Sequence, residues 1–545
     1  MVLPGLLVDL IGFSGFLACI FAVATLLRGF PHTIKRPTGE VVVSLSLAVL
    51  VLALKLGTVL RFEIPDSAEY LGIASRLVHD DTFLLHLNGR DLPSRYQPWF
   101  SWFLIYPFMR LTQTTWTVAI VPPFFAILGV YASALLAAGI LPEQRKALAL
   151  SVGAGVVLVP AYLYFSGHLM TDVPATVLTV LLAAAFCAGP VKARPLGELW
   201  AVGILGSFLF SLRPVSVVVL LPFLVELRRA RVRLLPLIVP TVVIAASSLW
   251  LNYQISGDAL RSGYNLWVAI PYDYFGRTFS VEFLSANVDA LVKDPVFVVF
   301  VLVGLCPLSK NVRNRLGLAT QESRAIGFVF LALVPQLILH LVYFYSTIRF
   351  SIALEVICGV LVACRIASIV SIQSFARAVA LFVLVVGFVA LPGSISAMRQ
   401  SAPAKLLKLK DCAPKDAVLV SARHPVLTEE YVVRGSARTI MPMSRRTELA
   451  SKVLVWSKVK APVGVVIDPR HHRAEWLLQA GAEEVYPHVA VDQAGLLRDA
   501  IRNGSTVVVD TEMASSEEIE ALRRSFILEP ICAEFQKLVL LPLVP

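Results

Sequence analysis

Four charged side chains in a largely apolar chain have the types and positions that acid–base and phosphate chemistry requires. Asp66 and Asp172 are carboxylates that could accept a proton from an attacking hydroxyl group. Arg213 and Arg349 carry guanidinium groups that could stabilise negative charge developing on a phosphate. Each lies beside or between long apolar runs, where an ionisable side chain is costly, so function is the first hypothesis to examine.

Asp66 lies in the polar stretch 61–78, directly after an apolar run that ends at Leu60. Asp66 and Glu69, three residues later, fit a capping box at the start of a helix. This interpretation is compatible with catalysis, because a cap holds a carboxylate in place. Apolar residues then recur at helical spacing and predict an amphipathic helix lying in the membrane interface, namely Tyr70, Ile73, Ala74, Leu77 and Val78.

The other three charged residues also have both a structural and a functional interpretation. Asp172 precedes Pro174 at the start of a span, which is a capping pattern as well as a place for a reactive carboxylate. Arg213 precedes Pro214, where it could mark a turn with a snorkelling side chain or face an anionic lipid group. Arg349 lies between two apolar runs in the same way.

Three further candidates lie close to these residues in the sequence. Arg95 begins an aromatic segment, and it could pair with a phosphate or belong to an interfacial aromatic belt. Gln97 follows it in the same segment. His168 could be a proton carrier, a metal ligand or an interface residue, and the last is favoured. Asp66 and Asp172 alone make a weak case for Mg²⁺ or Mn²⁺, so no metal is assigned.

Composition defines the class of protein. The 545 residues are 57% hydrophobic and 16% charged, with a mean hydropathy of +0.75. Soluble domains carry roughly 25% charged residues, so a polytopic α-helical membrane protein is predicted. The net charge of +11 comes from basic residues clustered in short loops. This distribution indicates membrane orientation and anionic head groups, not nucleic acid.

A span needs about 20 apolar residues, and about 11 to 13 spans are predicted. Basic loops at 28–40, 190–197, 228–233 and 309–324 should face the cytoplasm. The loops 61–97 and 252–294 and everything after 397 are then extracytoplasmic. The segment 98–112 is interpreted as re-entrant or juxtamembrane. The candidate spans are 6–27, 41–60, 116–139, 147–165, 172–189, 198–213, 215–227, 234–251, 295–307, 325–345, 350–370 and 378–396.

The composition changes near residue 398, which divides a membrane module (1–397) from a soluble domain (398–545). Strand-like runs at 417–421, 438–441, 463–467, 484–486 and 506–510 alternate with helical stretches. This alternation predicts an extracytoplasmic α/β domain with a mostly parallel sheet. Cys412 and Cys532 would share its oxidising compartment and could form a disulfide bond.

The candidate motifs, taken in order, resemble those of the membrane glycosyltransferases of the C-type fold (GT-C) that use polyprenyl-phosphate sugars. The nearest are the lipid A aminoarabinose transferases and the protein O-mannosyltransferases. The stretch from Asp66 to Ala74 is similar to their first-loop motif Asp-Glu-x-x-Tyr-x-x-Ile-Ala, with Ser67 where Glu is common. Gln97-Pro98-Trp99 is similar to their Lys-Pro-Pro segment, with the lysine replaced.

The resemblance continues in the later spans and covers roughly residues 41–370. Asp172 matches an aspartate at the head of a span, and Arg213-Pro214 resembles a Lys-Gly-Pro turn. Arg349-Phe350 is similar to a late Arg-Tyr pair. The resemblance implies a large outer loop, a juxtamembrane helix and a lipid-phosphate sugar donor.

The expected function is transfer of a sugar from a polyprenyl phosphate to an acceptor hydroxyl, with inversion, at the extracytoplasmic face of a bacterial inner or plasma membrane. Asp66 would be the general base and Asp172 a second catalytic carboxylate. Other expected roles are phosphate binding by Arg213, Arg349 and Arg95, and substrate binding by Glu69, Tyr70, His168 and Gln97. The acceptor could be a lipid, a polysaccharide or a protein. Alternatives are a transporter or flippase of lipid-linked sugars, a glycan ligase or polymerase, and a non-catalytic scaffold.

Overall fold

The structure is a computed structural model of the chain. It describes residues 3–28, 37–59, 65–87, 90–92, 94, 96–228, 231–260, 262, 279–306, 308, 311, 321–343, 347–399, 402–421, 425–442, 493–511, 516–532 and 535–540. Every structural statement below concerns these residues. Of the predicted site residues, Arg95 lies outside them, as do the strand-like runs 463–467 and 484–486.

The first part of the chain is almost entirely helical. Its α-helices are α1 Gly5–Leu27, α2 Gly39–Ala53, α3 Leu56–Val59, α4 Pro65–Asp80, α5 Tyr106–Thr112, α6 Val121–Ile140, α7 Ala149–Ala154, α8 Pro160–Phe165, α9 Asp172–Cys187, α10 Leu196–Leu212, α11 Leu221–Leu227, α12 Leu235–Ser256, α13 Leu284–Val292, α14 Pro295–Leu305, α15 Gln321–Phe328, α16 Val334–Leu341, α17 Ile352–Ile369 and α18 Ile372–Arg399. A small hairpin of β1 (Leu85–Leu87) and β2 (Arg90–Leu92) follows α4.

Eleven apolar helical stretches in the described ranges fit the predicted membrane module. Six are long and apolar enough to cross a membrane, namely Gly5–Leu27, Val118–Ile140, Leu235–Ile255, Glu322–Leu341, Ile352–Ile369 and Ile372–Ser396. The other five are shorter, namely Gly39–Ala53, Asp172–Cys187, Leu196–Leu212, Pro214–Leu227 and Pro295–Leu305. The polytopic helical class predicted from the sequence is therefore confirmed.

The segment predicted as a span at 147–165 differs from a single helix. It is divided into α7, a 3₁₀ turn at Gly155–Leu158 and α8. Val159, between them, is extended, and Pro160 begins α8. The break has a simple cause, because a proline has no N–H group and disfavours helical geometry in the residue before it. Periodicity alone did not reveal the break.

The segment 99–112 lies beside the N-terminal half of α1. Its π-helical turn Ser101–Ile105 leads into α5. The indole of Trp102 donates to the carbonyl of Val8 (3.0 Å), and Arg110 pairs with Asp9 (3.1 Å). Ring contacts of Tyr106 with Phe13 and of Phe108 with Phe16 extend this packing to the middle of α1. The re-entrant or juxtamembrane character of the segment stays a prediction.

Helix α4 carries Asp66 in its first turn and packs against the 99–112 segment. Pro65 is its first residue, a position where the missing N–H group costs nothing. Asp66 is thus inside the helix and not at the N-cap. Nor does Glu69 serve only as a capping partner, because its carboxylate accepts a hydrogen bond from Ser94 Oγ (3.0 Å). The predicted stripe is buried, with Ile73, Ala74 and Leu77 fully shielded from solvent.

Beyond α18 the chain forms a small α/β unit. Helices α19 (Ala402–Cys412), α20 (Pro425–Thr428), α21 (Gln493–Arg502) and α22 (Ser516–Arg523) accompany strands β3 (Val418–Ser421), β4 (Thr439–Pro442), β5 (Val507–Asp510), β6 (Phe526–Cys532) and β7 (Phe535–Leu540). The strand order is β4-β3-β5-β7-β6. Strand β3 pairs in parallel with β4 and β5, whereas β7 is antiparallel to β5 and β6. The sheet is therefore mixed and not mostly parallel.

Two features fix this unit in place. Cys412 and Cys532 form the predicted disulfide bond, which ties α19 to β6. The unit also contacts α4 through polar side chains. Glu430 accepts hydrogen bonds from Ser75 Oγ and from Arg434 (3.0 Å), and Arg434 also pairs with Asp80. The last half of the helix that carries Asp66 is thus held by the C-terminal unit.

Candidate active site at the helix ends

Four predicted site residues lie at helix ends, and the fold brings these ends together. Asp66 is in the first turn of α4, and Asp172 is the first residue of α9. Arg213 follows α10 in an extended conformation, because Pro214 stops the helix and begins a 3₁₀ turn. Arg349 lies in the 3₁₀ turn Ile348–Phe350 ahead of α17. The backbone groups at a helix end lack intrahelical partners, so they can bind a ligand together with the side chains located there.

The four side chains form two linked ion pairs. Arg349 Nη1 donates to Asp66 Oδ2 (3.0 Å) across 283 residues of sequence. Arg213 Nη2 pairs with Asp172 Oδ1. Arg213 Nη1 also donates to the backbone carbonyl of Arg349 (3.3 Å), which joins the two pairs. Two carboxylates and two guanidinium groups therefore form one cluster, which we call the site cluster.

Phe350 provides a common platform for the cations. The guanidinium carbons of Arg213 and Arg349 lie 5.2 and 5.0 Å from the centroid of its ring. The imidazole of His340, in α16, stacks on the same ring with centroids 4.5 Å apart and planes inclined by 8°. Such cation–ring contacts each contribute about 0.5 to 2 kcal/mol, depending on desolvation. The ring thus fixes both guanidinium groups without neutralising them.

The site cluster is largely removed from solvent. The side chain of Asp172 is 1% exposed, and those of Asp66, Arg213 and Arg349 are 13%, 15% and 23% exposed. Burial opposes the charge on Arg349, but the carboxylates of Asp172 and Asp66 outweigh it and raise the pKa of this guanidinium above its ordinary value. Arg349 is therefore a permanent cation.

Two atoms of the site cluster are buried without a hydrogen-bond partner in the part of the chain that the structure describes. They are Asp172 Oδ2 and Arg349 Nε. Buried polar atoms are normally satisfied, so each such atom asks for an explanation. A ligand that carries both an acceptor and a donor group would complete them.

The predicted substrate-binding residues surround the cluster in different ways. Tyr70 packs its ring against Tyr96 (centroids 4.6 Å apart), and Tyr96 is one of the groups that raise the pKa of Arg349. Gln97 donates to Asn252 Oδ1 (2.6 Å), which links the segment after the β1–β2 hairpin to the end of α12. The roles of Tyr70 and Gln97 in substrate binding stay predictions.

Glu69 and His168 also have structural contacts. Glu69 is fully buried and bound by Ser94, as described above. His168 is 6% exposed and packs its ring against Tyr164 and Phe165, with centroids 4.7 and 6.3 Å apart. This packing gives His168 a structural contact with two aromatic rings. Their roles in substrate binding stay predictions.

No group of three or more His, Cys, Asp or Glu side chains that could hold a metal occurs among the residues described. The candidate Mg²⁺ or Mn²⁺ therefore rests on Asp66 and Asp172 alone, and each of these carboxylates already pairs with an arginine. A divalent cation would have to replace those arginines or share the carboxylates with them. Metal dependence stays an untested prediction.

Sequence reasoning missed His340 and the role of Phe350. His340 interrupts the apolar run 325–345 and follows Gln336 by four residues, which puts two polar side chains on one face of α16. That spacing was the available signal. Phe350 entered the sequence interpretation only as a neighbour of Arg349, because nothing in the sequence says which side chains a ring will face.

Comparison with known proteins gives a fold and nothing closer. No protein-family model matches the sequence, and no curated protein matches it. Among solved structures, the chain is similar to ArnT from Cupriavidus metallidurans bound to undecaprenyl phosphate, with a TM-score of 0.56, 14% identity, and coverage of 93% of this chain and 98% of that one. The apo structure of the same ArnT gives a TM-score of 0.57, 13% identity, and coverage of 92% and 98%.

At this level of identity the likeness establishes the fold alone. The chain has the GT-C fold of ArnT with a small C-terminal sheet domain, and the resemblance inferred from its motifs is confirmed in that respect.

Proposed function

We propose that the chain is an integral membrane glycosyltransferase that moves a sugar from a polyprenyl phosphate to an acceptor hydroxyl. The observation that carries the proposal is the site cluster, where two carboxylates and two guanidinium groups meet at helix ends around Phe350. The fold it shares with an ArnT that binds undecaprenyl phosphate supports a lipid-phosphate donor.

The reaction assigned to the cluster is a single displacement. The acceptor oxygen attacks the anomeric carbon of the sugar, the bond from that carbon to the phosphate oxygen breaks, and the configuration inverts. The acceptor proton passes to the carboxylate of Asp66, acting as general base. The bonding electrons leave with the polyprenyl phosphate, which gains negative charge.

The arginines would stabilise that charge where it develops. Preorganised cations in a water-excluded site need no reorganisation during the reaction, and this makes electrostatic stabilisation effective. Arg213 and Arg349 are held by carboxylates, by a backbone carbonyl and by Phe350, so they are preorganised in this sense. We assign Arg95 the same role, from its sequence alone.

Sidedness follows from charge. Asp172 begins α9 at the site cluster, whereas the basic loop that contains Lys192 and Arg194 follows the other end of the same helix. The positive-inside rule then assigns the site cluster and the C-terminal unit to the extracytoplasmic side. The acceptor would be a lipid, a polysaccharide or a protein on that side.

The test is turnover of a panel of radiolabelled polyprenyl-phosphate monosaccharides by purified full-length protein in membrane nanodiscs. Lipid, polysaccharide and protein fractions of the cell envelope would be added separately as acceptors, and the label would be followed into each. Asp66→Asn is the test variant. Asp289→Asn is its matched control, because Asp289 is an exposed carboxylate paired with Lys293 on the surface of α13.

We expect one donor to be consumed by the wild type and by Asp289→Asn but not by Asp66→Asn. The fraction that receives the label identifies the acceptor class. No consumption of any donor, or equal consumption by Asp66→Asn, would refute the mechanism. In that case net movement of an intact donor across the bilayer would indicate a flippase.

A further inference from the structure

His340 adds a third nitrogen group beside the two arginines of the site cluster. Its imidazole stacks on Phe350, the ring that both guanidinium groups contact. The residue is 9% exposed, and its Nε2 atom is buried without a hydrogen-bond partner within the described ranges. A histidine that only fills space rarely leaves a ring nitrogen buried and unpaired, because the unmet hydrogen bond is costly.

Three unpaired polar atoms are thus found around one platform. Arg349 Nε carries a hydrogen and can only donate, whereas Asp172 Oδ2 can accept. Nε2 of His340 donates in one neutral tautomer and in the charged form. The set calls for a ligand that offers acceptor oxygens to two nitrogen donors and a hydroxyl hydrogen to a carboxylate. A sugar joined to a phosphate has both groups.

We propose that His340 is a substrate-binding residue that donates a hydrogen bond from Nε2 to an oxygen of the lipid-linked phosphate. The inference rests on the proposed function and adds a residue to it. Arg213 and Arg349 supply charge, and His340, stacked on the same Phe350 ring, supplies a directed donor. In the same arrangement Asp172 Oδ2 accepts a hydrogen bond from a hydroxyl group of the donor sugar.

Binding of undecaprenyl phosphate to the full-length protein in nanodiscs tests this assignment without requiring turnover. Undecaprenol, which lacks the phosphate, is the control ligand. His340→Phe keeps a flat ring for stacking on Phe350 and removes the donor. His340→Gln loses the ring but keeps an N–H group at a similar reach.

We expect His340→Phe to weaken undecaprenyl phosphate binding about tenfold, as expected for loss of one hydrogen bond to a charged group. Undecaprenol binding should not change. His340→Gln should recover most of the loss and bind within roughly threefold of the wild type, because the amide restores a donor. This pattern separates hydrogen-bond donation from packing. His340→Phe removes the donor but keeps the stacked ring, whereas His340→Gln removes the ring but keeps a donor.

Unchanged binding of undecaprenyl phosphate to His340→Phe would overturn the assignment, as would equal weakening of both ligands, which indicates packing alone. A wild type that does not prefer undecaprenyl phosphate to undecaprenol would overturn the proposed function together with the role of His340. A wild-type preference that is undiminished in His340→Phe would leave the proposed function intact and remove only His340 from it.

Discussion

Two buried groups of arginines and carboxylates lie at opposite ends of α9, and they differ in how completely they are satisfied. The site cluster is at the start of this helix. A second group, which we call the far cluster, consists of Glu226, Glu322, Arg324 and Arg365. Arg324 donates to the carbonyls of Phe186 (2.9 Å) and Gly189 (3.1 Å), at and just beyond the end of α9.

The far cluster is saturated. Arg365 donates to Glu322 (2.8 Å) and to the carbonyls of Val303 and Cys306, and Arg324 pairs with Glu226 (2.7 Å). None of its four members has a buried polar atom without a partner among the residues described. The site cluster, equally buried at Asp172, retains two such atoms. Burial of an ion pair therefore does not distinguish the two clusters, whereas the completeness of their hydrogen bonding does.

The sharpest test of this difference is Asp66→Asn in the site cluster. Loss of a general base should reduce turnover by about 10² to 10⁴-fold. The thermal midpoint should change little, because the carboxylate of Asp172 still compensates the charge of Arg349 and this pair is more exposed than Arg365–Glu322. Turnover and melting would be measured on the same preparation. If Asp66→Asn retained turnover, Asp66 would not be the general base, and the site cluster would have only a structural role.

Glu322→Gln in the far cluster should give the reverse result. Removing one partner of a buried pair leaves Arg365 uncompensated and costs about 3 to 5 kcal/mol of unfolding free energy. Turnover per folded molecule should stay at the wild-type value. Thermal melting in nanodiscs measures the first quantity and donor consumption the second. A variant that melts normally but turns over slowly would contradict the division between the clusters.

Ligand binding should stabilise the protein only through the site cluster. At a hundred times its Kd, undecaprenyl phosphate should add about 2.7 kcal/mol to the unfolding free energy of the wild type. Glu322→Gln should gain the same increment from its lower starting point, whereas Arg349→Gln should lose most of it. If undecaprenyl phosphate stabilised Arg349→Gln as much as it stabilises the wild type, the phosphate would bind somewhere other than at Arg349.

The smallest effects are expected at two matched rings. Phe350 lies under Arg213 and Arg349, and Phe186 lies 4.4 Å from the guanidinium of Arg324. Replacing either ring by leucine removes cation–π contacts of about 1 kcal/mol. Phe350→Leu should raise the donor KM about fivefold, as 1 kcal/mol implies, and Phe186→Leu should only lower the thermal midpoint. An equal rise in KM for both would show that the rings act on global stability.

Much of the fold was predictable from the sequence, because apolar runs of sufficient length identify spans directly. The site was predictable in part. Asp66, Asp172, Arg213 and Arg349 stand out as charges in apolar surroundings, and the basic loops place them on one side of the membrane. Which arginine meets which aspartate was not predictable, because the pairing depends on how helices far apart in sequence cross.

Other failures have similar physical causes. The break before Pro160 was not predicted, because the non-helical preference of the residue before a proline overrides the apolar run there. Strands β6 and β7 have mixed burial patterns, so they lack the continuous apolar signal of β5. His340 was missed because its spacing from Gln336 indicates a polar helix face but not what that face contacts.

Helix α4 is held by side-chain contacts at both of its ends, so it connects the site cluster to the C-terminal unit. Arg349 holds the end that carries Asp66, and Glu430 with Arg434 holds the other half. Sixteen helical residues form a stiff rod about 24 Å long, so a tilt imposed at one end reaches the other undiminished. The position of Asp66 is thereby coupled to the C-terminal unit, and a displacement of that unit should move this carboxylate without changing any residue of the site cluster.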